Sequence, residues 1–348
     1  MKSLDIRQNA RWYTSIALFS ISMLSSLAIL IAAFYMVRYL SPVDPNAKPV
    51  ELKIVQGMSS QAIADQLTHY NLIHNPWAFL FVTHLSGASR RLQVGTYRLS
   101  GAMDIPQIID HLETGKVVTQ QFVVPEGLTV VQIGRLWEKS GFGTAAAFNQ
   151  TANDPKWLLN YNIEGKTLEG YLFPNTYQFP DGATPQLIIQ IMLDEFARRW
   201  TAEFTEEAKA LGLSKHEAIT LASIIEAEAR VPDERPLVSA VFHNRLRRGW
   251  KLQADPTALY GLGNPDRPPR PADLRVDSPY NTYIYKGLPP GPIGNPGMAS
   301  ILAALRPTSV NYMYFVATGD GRHHFSKTLR EHQNMINRIK RNRRRIAD

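Results

Sequence analysis

The feature that most constrains this chain is an uncharged apolar run close to its N-terminus. Residues 13–37 read YTSIALFSISMLSSLAILIAAFYMV. As a helix this run is long enough to cross the roughly 30 Å hydrocarbon core of a bilayer. It exceeds the apolar region of a cleavable signal peptide, and its final stretch, AAFYMVRYL, has no small-x-small cleavage site. We therefore expect an uncleaved transmembrane helix over 13–37, with a buried helix of a soluble protein as the alternative.

The flanking charges alone do not set the orientation of this helix. Three basic residues precede it and three follow it closely: Lys2, Arg7, Arg11, then Arg38, Lys48 and Lys53. Long domains translocate largely regardless of charge, and here a long chain follows a short tail. The expected arrangement is a cytoplasmic tail at 1–12, a single span of the inner membrane, and a folded periplasmic part.

Cysteine content and charge narrow the functional classes. The chain of 348 residues has no cysteine, which excludes disulfides, thiolate metal sites and a cysteine nucleophile. Its formal net charge of +8 favours an anionic partner. Because a chain anchored outside the cytoplasm has little access to nucleic acid, we expect a lipid surface or an acidic polymer. Much of the charge lies in a basic C-terminal tail at 339–348, interpreted as solvated, with a membrane-surface contact as the alternative.

The chain after the apolar run divides into a linker and a first folded domain. Residues 38–50 include SPVDPNAKPV, which lacks apolar periodicity and is typical of a linker. Three similar segments follow, IVQGMSSQAIADQL, SGAMDIPQIIDHL and VVPEGLTVVQIGRLW, with expected helix N-caps at Ser59, Asp104 and Thr129. The pattern resembles LysM-like modules, which bind glycans containing N-acetylglucosamine, and we assign residues 51–163 to such an α+β domain. Generic packing of strand, turn and helix is the alternative.

A second α+β domain is expected over 164–338. It opens with the aromatic segment GKTLEGYLFPNTYQFP, followed by an amphipathic helix within 184–200 whose apolar positions include Leu187, Ile191 and Phe196. Another helix is expected to begin near Ser214. Beyond it the chain is rich in Pro and Gly, as in SPYNTYIYKGLPPGPIGNPG, and long irregular loops inside a domain usually line a site.

Two carboxylates, Glu226 and Glu228, lie at the end of the apolar run LASIIEAEAR. Each has apolar or small residues three and four positions before it, so helical geometry does not choose between them. Partial burial raises the pKa of a carboxyl, which a group needs if it is to donate a proton near neutral pH. The alternative is a structural ion pair with Arg230 or Arg235 at the helix end.

Several unusual segments occur in one order along the chain: EGYLFPNTY, LASIIEAEA, VFHNRLRRGWKLQADPT, YNTY and GLPPGPIGNPG. Together with the N-terminal anchor and the LysM-like region, this set resembles the endolytic murein transglycosylase family, also called YceG-like, over about residues 50–335. In that family the catalytic acid is the first glutamate of the segment that reads SIIEAEA here. The resemblance therefore assigns the acid to Glu226, and it implies no cofactor and no metal.

The resemblance implies cleavage of the β-1,4 bond between N-acetylmuramic acid and N-acetylglucosamine in peptidoglycan, leaving a 1,6-anhydromuramic end. Glu226 would protonate the leaving oxygen, and the resulting base would take the proton of the sugar's own 6-hydroxyl. A well-oriented internal nucleophile reaches an effective molarity of about 10⁵ M or more, so no second carboxylate is needed to activate water. On the residues alone hydrolysis stays open, with Asp255 or Glu169 as the second carboxylate.

Substrate contacts are expected from the irregular loops. Amides and a phenol can hydrogen-bond acetamido and hydroxyl groups, and an aromatic face can cover a sugar ring. The chosen residues are Gln253, Asn281 and Tyr283, followed by Asp255, Glu169 and Tyr280. Hydrogen bonds that anchor the loops are the alternative role for these side chains.

A zinc hydrolase is disfavoured by motif spacing. HEAIT has Thr220 where the zincin motif needs its second His, and TLREH has Thr328 where the inverted motif needs its first His.

The alternative that is not an enzyme is a membrane-anchored glycan-binding scaffold without catalysis. The expected function is an anchored lytic transglycosylase that acts on nascent glycan strands and terminates their polymerisation, with peptidoglycan synthases as partners implied by the resemblance.

Overall fold

The computed structural model describes residues 2–263 and 267–347 of the chain. The chain forms two compact units, residues 1–120 and 121–348, and each has its own hydrophobic core. In both units, short strands that pair in twos are surrounded by helices. The α+β class predicted from the sequence is therefore confirmed.

Helix α1 spans Lys2–Leu40 and contains the whole apolar run. Its part from Leu18 to Leu40 has a mean hydropathy of 2.1, and none of the apolar window is buried against the rest of the protein. Among the residues described, it is the one helix long and apolar enough to cross a membrane. The helix predicted over 13–37 is thus present as a helix.

The segment between α1 and the first strand is irregular, as its composition predicts, but it is fastened to the N-terminal unit. The backbone N–H of Asp44 donates to the carbonyl of Gly101 at 3.0 Å. The hydroxyl of Ser100 donates to the carbonyl of Ala47 at 2.7 Å. Both hydrogen bonds reach the turn that follows the second strand, so the linker is held at two points.

The N-terminal unit is built from two strands and three helices: β1 (Val50–Ile54), α2 (Ser60–His69), α3 (Pro76–Leu85), β2 (Gly95–Leu99) and α4 (Ile105–Thr114). β1 and β2 pair antiparallel, with Leu52 opposite Tyr97. The predicted caps are confirmed, because the side chains of Ser59 and Asp104 accept backbone N–H groups at the starts of α2 and α4. These caps satisfy donors that a helix start leaves without a partner.

The C-terminal unit begins with a similar order of elements: β3 (Thr119–Val123), α5 (Val130–Lys139), α6 (Ala145–Ala152), α7 (Lys156–Asn160), β4 (Thr176–Pro180) and α8 (Pro185–Arg199). β3 and β4 are hydrogen-bonded neighbours. Thr129 caps α5 in a capping box with Gln132, which confirms the third predicted cap. Thr184 caps α8 by accepting the backbone N–H three residues later, as Asp104 does for α4, although α4 also has the reciprocal bond of a capping box.

This part of the C-terminal unit repeats the plan of the N-terminal unit, and we call residues 50–114 the first repeat and residues 119–199 the second repeat. In each repeat a strand is followed by a glycine with positive φ, Gly57 or Gly127, and then by a capped helix. Each later strand carries Thr-Tyr, and the tyrosine hydroxyl donates to the carbonyl four residues earlier. Matched positions are buried in both: Leu52 and Phe122, Ile63 and Ile133, Phe79 and Phe148, Tyr97 and Tyr177, Ile108 and Ile188.

The rest of the C-terminal unit carries the long loops and six more helices with a strand pair: α9 (Ala202–Ala210), α10 (Lys215–Glu228), α11 (Arg235–Arg247), α12 (Asp255–Gly261), α13 (Met298–Leu305), β5 (Tyr314–Ala317), β6 (His323–Ser326) and α14 (Leu329–Ala347). Helix α10 packs against α11 and α13. β5 and β6 pair antiparallel. The predicted start of α10 at the Ser214 cap is confirmed.

The boundary between the two compact units lies after Gln120, whereas the sequence led us to expect a domain boundary after residue 163. Residues between these positions bury large side chains in the C-terminal core, among them Phe122, Trp137 and Phe148. They resemble the first unit because they belong to the second repeat. Of the three similar segments, the first and third hold equivalent places in the two repeats, while the second opens α4.

Two local expectations differ from the structure. In α8, Phe196 is buried as predicted, but Leu187 is 38% exposed, and Ile188, Ile189 and Met192 lie on the buried face. The apolar residues of α8 could form more than one buried helix face, and packing against the rest of the unit determines which face is buried. At the other end of the chain, α14 continues to Ala347, so the basic segment from 339 extends a helix.

Candidate active site

The end of α10 carries both candidate acids. Ser214 opens the helix in a capping box with Glu217, and the residues from Ala218 to Ile225 are buried. The helix ends at Glu228, so Glu226 and Glu228 both lie in its last turn. A helix C-terminus carries partial negative charge, which makes this an unfavourable position for an ionised carboxylate without partners.

Glu226 has two such partners. Its Oε1 accepts from Nη2 of Arg235 at 3.0 Å, and its Oε2 accepts from the backbone N–H of Gly297 at 2.9 Å. Only 7% of the Glu226 side chain is exposed. The ion pair with Arg235 that the sequence offered as an alternative is therefore present, together with a backbone donor from the loop before α13.

Arg235 is held firmly in this position. Its side chain is 11% exposed, and its Nε donates to Oγ of the buried Ser300 at 3.0 Å. The same Nη2 that contacts Glu226 lies 3.7 Å from Oε2 of Glu126, in the turn between β3 and α5. One guanidinium thus contacts two carboxyl groups.

Glu228 has different surroundings from Glu226. Burial raises the pKa of Glu228 to about 8, and the nearby charge of Asp255 adds to the effect, while Arg245 and a hydrogen bond from the Asp255 backbone oppose it. The hydroxyl of Tyr283 donates to Oδ1 of Asp255 at 2.6 Å. The structure therefore brings Asp255 and Tyr283, both predicted site residues, to the second glutamate of the motif.

A cleft of about 800 Å³ adjoins these groups. Its lining includes Gly127, Glu228, Arg230, Asp255, Ile293 and His323. Glu226 is not itself a lining residue, but it lies beside two that are, Ala227 and Gly127, and a Cβ on Gly127 would be 3.5 Å from Cγ of Glu226. His323 is fixed by Glu234, whose carboxylate accepts its backbone N–H at 3.0 Å. A cleft of this size is large enough to hold sugar residues.

The other predicted binding residues have distinct environments. Gln253 is exposed and has a φ of 53°, a left-handed conformation that costs energy for a residue other than glycine. Asn281 is buried, and its Nδ2 donates to the carbonyl of Val276 at 2.8 Å while its Oδ1 accepts from the backbone N–H of Tyr283. Asn281 thus has the loop-anchoring contacts weighed as the alternative, and the ring of Tyr280 packs at a tilt against Tyr260, with ring centroids 4.9 Å apart.

Glu169 lies in the loop that the second repeat inserts between α7 and β4. Its carboxyl accepts from the backbone N–H of Val130 at 3.0 Å, from the hydroxyl of Tyr260 at 3.1 Å, and from Nδ2 of Asn295 at 3.2 Å. Burial raises the pKa of Glu169 to about 8, although the hydrogen bonds to Val130 and Tyr260 oppose the shift. These contacts connect the start of α5 with the loop before α13.

Glu126, Gly297 and Ser300 were missed from the sequence. Glu126 lies in VVPEGLT, which was identified only as a strand-turn-helix segment, and Gly297 lies in a loop expected to shape the cleft. The glutamate beside the turn glycine, Glu126 before Gly127, was the one sequence feature that could have indicated this part of the site. Within residues 2–263 and 267–347, no group of three or more His, Asp or Glu side chains is placed to hold a metal ion.

Comparison with known proteins identifies relatives of this chain. The family model described as the YceG-like family matches residues 52–338. An endolytic murein transglycosylase of Bacillus subtilis is 36% identical over 86% of this chain and 88% of its own length. One from Streptococcus pneumoniae is 28% identical over 91% of this chain and 64% of its own. A crystal structure of a YceG-like protein from Listeria monocytogenes superposes with a TM-score of 0.58 at 35% identity, covering 83% of this chain and all of that one.

Proposed function

Because the chain belongs to the YceG-like family, and is a lytic transglycosylase as its relatives are, we propose that it cuts peptidoglycan strands internally, at the β-1,4 bond between N-acetylmuramic acid and N-acetylglucosamine. The product is a 1,6-anhydromuramic end. The observation that carries the proposal is the placement of Glu226, an almost fully buried carboxyl beside a cleft of about 800 Å³.

In this proposal Glu226 is the acid that protonates the glycosidic oxygen as the bond to the anomeric carbon breaks. The ionised Glu226 then removes the proton from the 6-hydroxyl of the same muramic acid, and that oxygen forms the new bond to the anomeric carbon. Arg235 and the N–H of Gly297 stabilise the carboxylate that exists between these two steps. The proton returns to Glu226, so the acid is regenerated without water.

Hydrolysis is the rival reaction, and Asp255 is the carboxylate placed best for it. Asp255 lines the cleft beside Glu228, whereas the Glu169 carboxyl has its hydrogen bonds with Val130, Tyr260 and Asn295. We propose that Asp255 binds the substrate with Tyr283, and that Gln253 contributes its exposed amide. The roles proposed for Asn281 and Glu169 are to hold the loops that form the cleft.

The proposed setting is the periplasmic face of the inner membrane. The exposed apolar part of α1 supports a single span with the N-terminus in the cytoplasm. The first repeat is proposed as a LysM-like module that holds glycan containing N-acetylglucosamine. An anchored enzyme of this kind would cut nascent strands and so terminate their polymerisation, in contact with peptidoglycan synthases.

Mass spectrometry of the products tests the proposal. The full-length protein in detergent would be incubated with uncrosslinked glycan strands, beside a Glu226→Gln variant. We expect internal fragments with anhydro ends, one water lighter than reducing ends, and a loss of at least about 10³-fold in rate with the variant. Reducing ends would establish a hydrolase and direct attention to Asp255. Strand binding without cleavage by either protein would instead identify a scaffold.

A further inference from the structure

Glu228 is a carboxyl that the reaction described above does not use, although it lines the cleft. It is the last residue of α10, two positions after Glu226. Side chains two positions apart on a helix do not face each other, so the two glutamates have different neighbours. The last turn of α10 therefore presents a second carboxyl to the cleft, in surroundings of its own.

The surroundings of Glu228 favour its neutral form. Burial raises the pKa of Glu228 to about 8, and the charge of Asp255 adds to this effect. Arg245 opposes it, but the Arg245 guanidinium donates to the backbone carbonyls of Met313 and Leu252. Within residues 2–263 and 267–347, Glu228 makes no ion pair. A neutral carboxyl can donate a hydrogen bond, which a carboxylate cannot do.

Asp255 offers an acceptor next to this donor. A hydrogen bond from the backbone of Asp255 to Glu228 keeps the two residues adjacent, and both line the cleft. Oδ1 of Asp255 accepts from the hydroxyl of Tyr283 at 2.6 Å. Its Oδ2 has no hydrogen-bond partner in the part of the chain that the structure describes. The cleft wall thus holds one donor beside one available acceptor.

A donor beside an acceptor is complementary to an amide group, whose carbonyl accepts and whose N–H donates. Peptidoglycan contains amides in the acetamido groups of its sugars and in its stem peptides. An acetamido group is attached to the carbon next to the anomeric carbon, so it lies close to the bond that is cut. The stem peptide begins farther from that bond, on the lactyl group of muramic acid.

We propose that Glu228 and Asp255 form a recognition site for the acetamido group of a sugar in the cleft. Glu228 donates to the carbonyl oxygen of that group, and Oδ2 of Asp255 accepts its N–H. Glu228 is a specificity-determining residue in this scheme and takes no part in proton transfer. The inference rests on the proposed function, because it names the part of the glycan that the cleft recognises.

The other charged groups near α10 have separate places. Arg230, Arg267 and His323 line the same cleft, but Arg267 is paired with a carboxylate of its own loop and His323 with Glu234. Helix α13 packs against α10 and contains no charged residue. The charged side chains of α9 pair with Arg306 or with each other. The pKa of Glu228 is therefore set by its burial and by Asp255 and Arg245.

Occupancy of the cleft by defined oligosaccharides tests the inference. Because the chain has no cysteine, Ala317→Cys at the cleft would carry a single environment-sensitive fluorophore. The full-length protein in detergent, with Glu226→Gln to prevent turnover, would be titrated with oligomers of β-1,4-linked N-acetylglucosamine. Cello-oligosaccharides of the same length have hydroxyls in place of the acetamido groups and serve as the matched ligands.

Three variants at other positions would be compared in that protein. Glu228→Met removes the donor at similar volume, and Glu228→Gln replaces the carboxyl with an amide that can still donate. Glu138→Gln alters an exposed glutamate of α5 and is the control.

At pH 7 we expect the acetylated oligomers to bind about 10-fold more tightly than the cello-oligosaccharides. Glu228→Met should remove this preference, Glu228→Gln should recover most of it, and Glu138→Gln should leave it unchanged. Between pH 7 and pH 9 the protein with Glu228 should lose about 10-fold in affinity for the acetylated oligomers, because ionisation removes the donor. Glu228→Gln should bind them equally at both pH values.

Two results would overturn the inference. The first is an equal affinity for the two kinds of oligosaccharide, or an equal loss for both with Glu228→Met, which would make Glu228 only structural. The second is a Glu228→Met effect seen with peptide-bearing strands and not with the acetylated oligomers, which would assign the site to a stem-peptide amide. Circular dichroism of both Glu228 variants would identify misfolding. Failure of the wild-type protein to cut strands, with this binding pattern intact, would contradict only the proposed function.

Discussion

The two repeats share one framework, but the second also contributes residues to the candidate site. Both have the glycine turn, the capped helices and the Thr-Tyr strand, and both bury the matched core positions. The second adds a carboxyl before its glycine, Glu126 in place of Gln56, and a longer connection that contains α7 and Glu169. The comparison teaches that the framework supplies stability, whereas the turn that carries Glu126 and the inserted loop that carries Glu169 reach the candidate site, whose proposed acid lies on α10.

The largest expected effects come from the matched core phenylalanines, Phe79 and Phe148. Both are fully buried, so replacing either with alanine should cost about 3–5 kcal/mol of unfolding free energy in its own unit. Phe148→Ala should abolish strand cleavage near 37 °C, whereas Phe79→Ala should lower only the stability of the N-terminal unit. Thermal unfolding by circular dichroism and the cleavage assay would check this. Equal loss of activity in both variants would break the distinction between the repeats.

Glu169, which has no counterpart in the first repeat, should make the stability of the C-terminal unit depend on pH. Its pKa is raised from 4.5 to about 8, so the folded protein holds a proton that the unfolded chain releases. Stability is then greatest below about pH 4.5 and falls as the pH rises towards 8, by about 5 kcal/mol in total for this group. Glu169→Gln should flatten that fall in urea unfolding between pH 5 and pH 8. The exposed Glu138 provides the control, and Glu138→Gln should leave the slope intact.

The two turn glycines should have equal structural and unequal functional effects. Gly57 and Gly127 have φ angles of 83° and 81°, so alanine at either position should cost about 1–2 kcal/mol through left-handed backbone strain. Only Gly127→Ala places a methyl group 3.5 Å from Cγ of Glu226. We therefore expect reduced cleavage with Gly127→Ala alone. Equal losses of cleavage activity in the two variants would show that the turn glycines affect cleavage only through stability.

The helix caps should show the smallest effects. Ser59→Ala and Thr129→Ala each remove one side-chain acceptor at a helix start, at a cost of about 1 kcal/mol. Because neither side chain contacts Glu226, catalytic rates should stay within about twofold of wild type. Urea midpoints measured beside the cleavage rates would reveal a larger role for Thr129, which lines the cleft.

Local patterns were enough to predict much of the framework. Ser59, Asp104, Thr129 and Ser214 could be identified as caps because capping depends on residues only three positions apart. The apolar run, the class of fold and the helix that carries Glu226 were also predictable, because each depends on patterns within short stretches of the sequence. The buried face of α8 was predictable only in part, with Phe196 placed correctly and Leu187 not, because its sequence offers more than one apolar stripe.

The site itself depends on contacts between distant parts of the chain. Glu126 and Glu226 are a hundred positions apart in the sequence, and the hydrogen bonds through Asn295 and the shared Arg235 bring the first beside the second. In sequence, Glu126 looks like an ordinary polar residue of a turn. Asn281 shows the reverse case, because an amide in a promising loop proves to be committed to Val276 and Tyr283.

The fastened linker bears on how an anchored enzyme would explore its surroundings. A flexible linker would let the attached domain move widely over the membrane surface. Here the linker is not free, because Asp44 is hydrogen-bonded to Gly101 and Ala47 to Ser100. If α1 spans the bilayer, the N-terminal unit is attached to that helix through a short, fixed segment and rotates with it. The distance between the bilayer and the N-terminal unit would then be fixed by the protein, and lengthening this segment would change it.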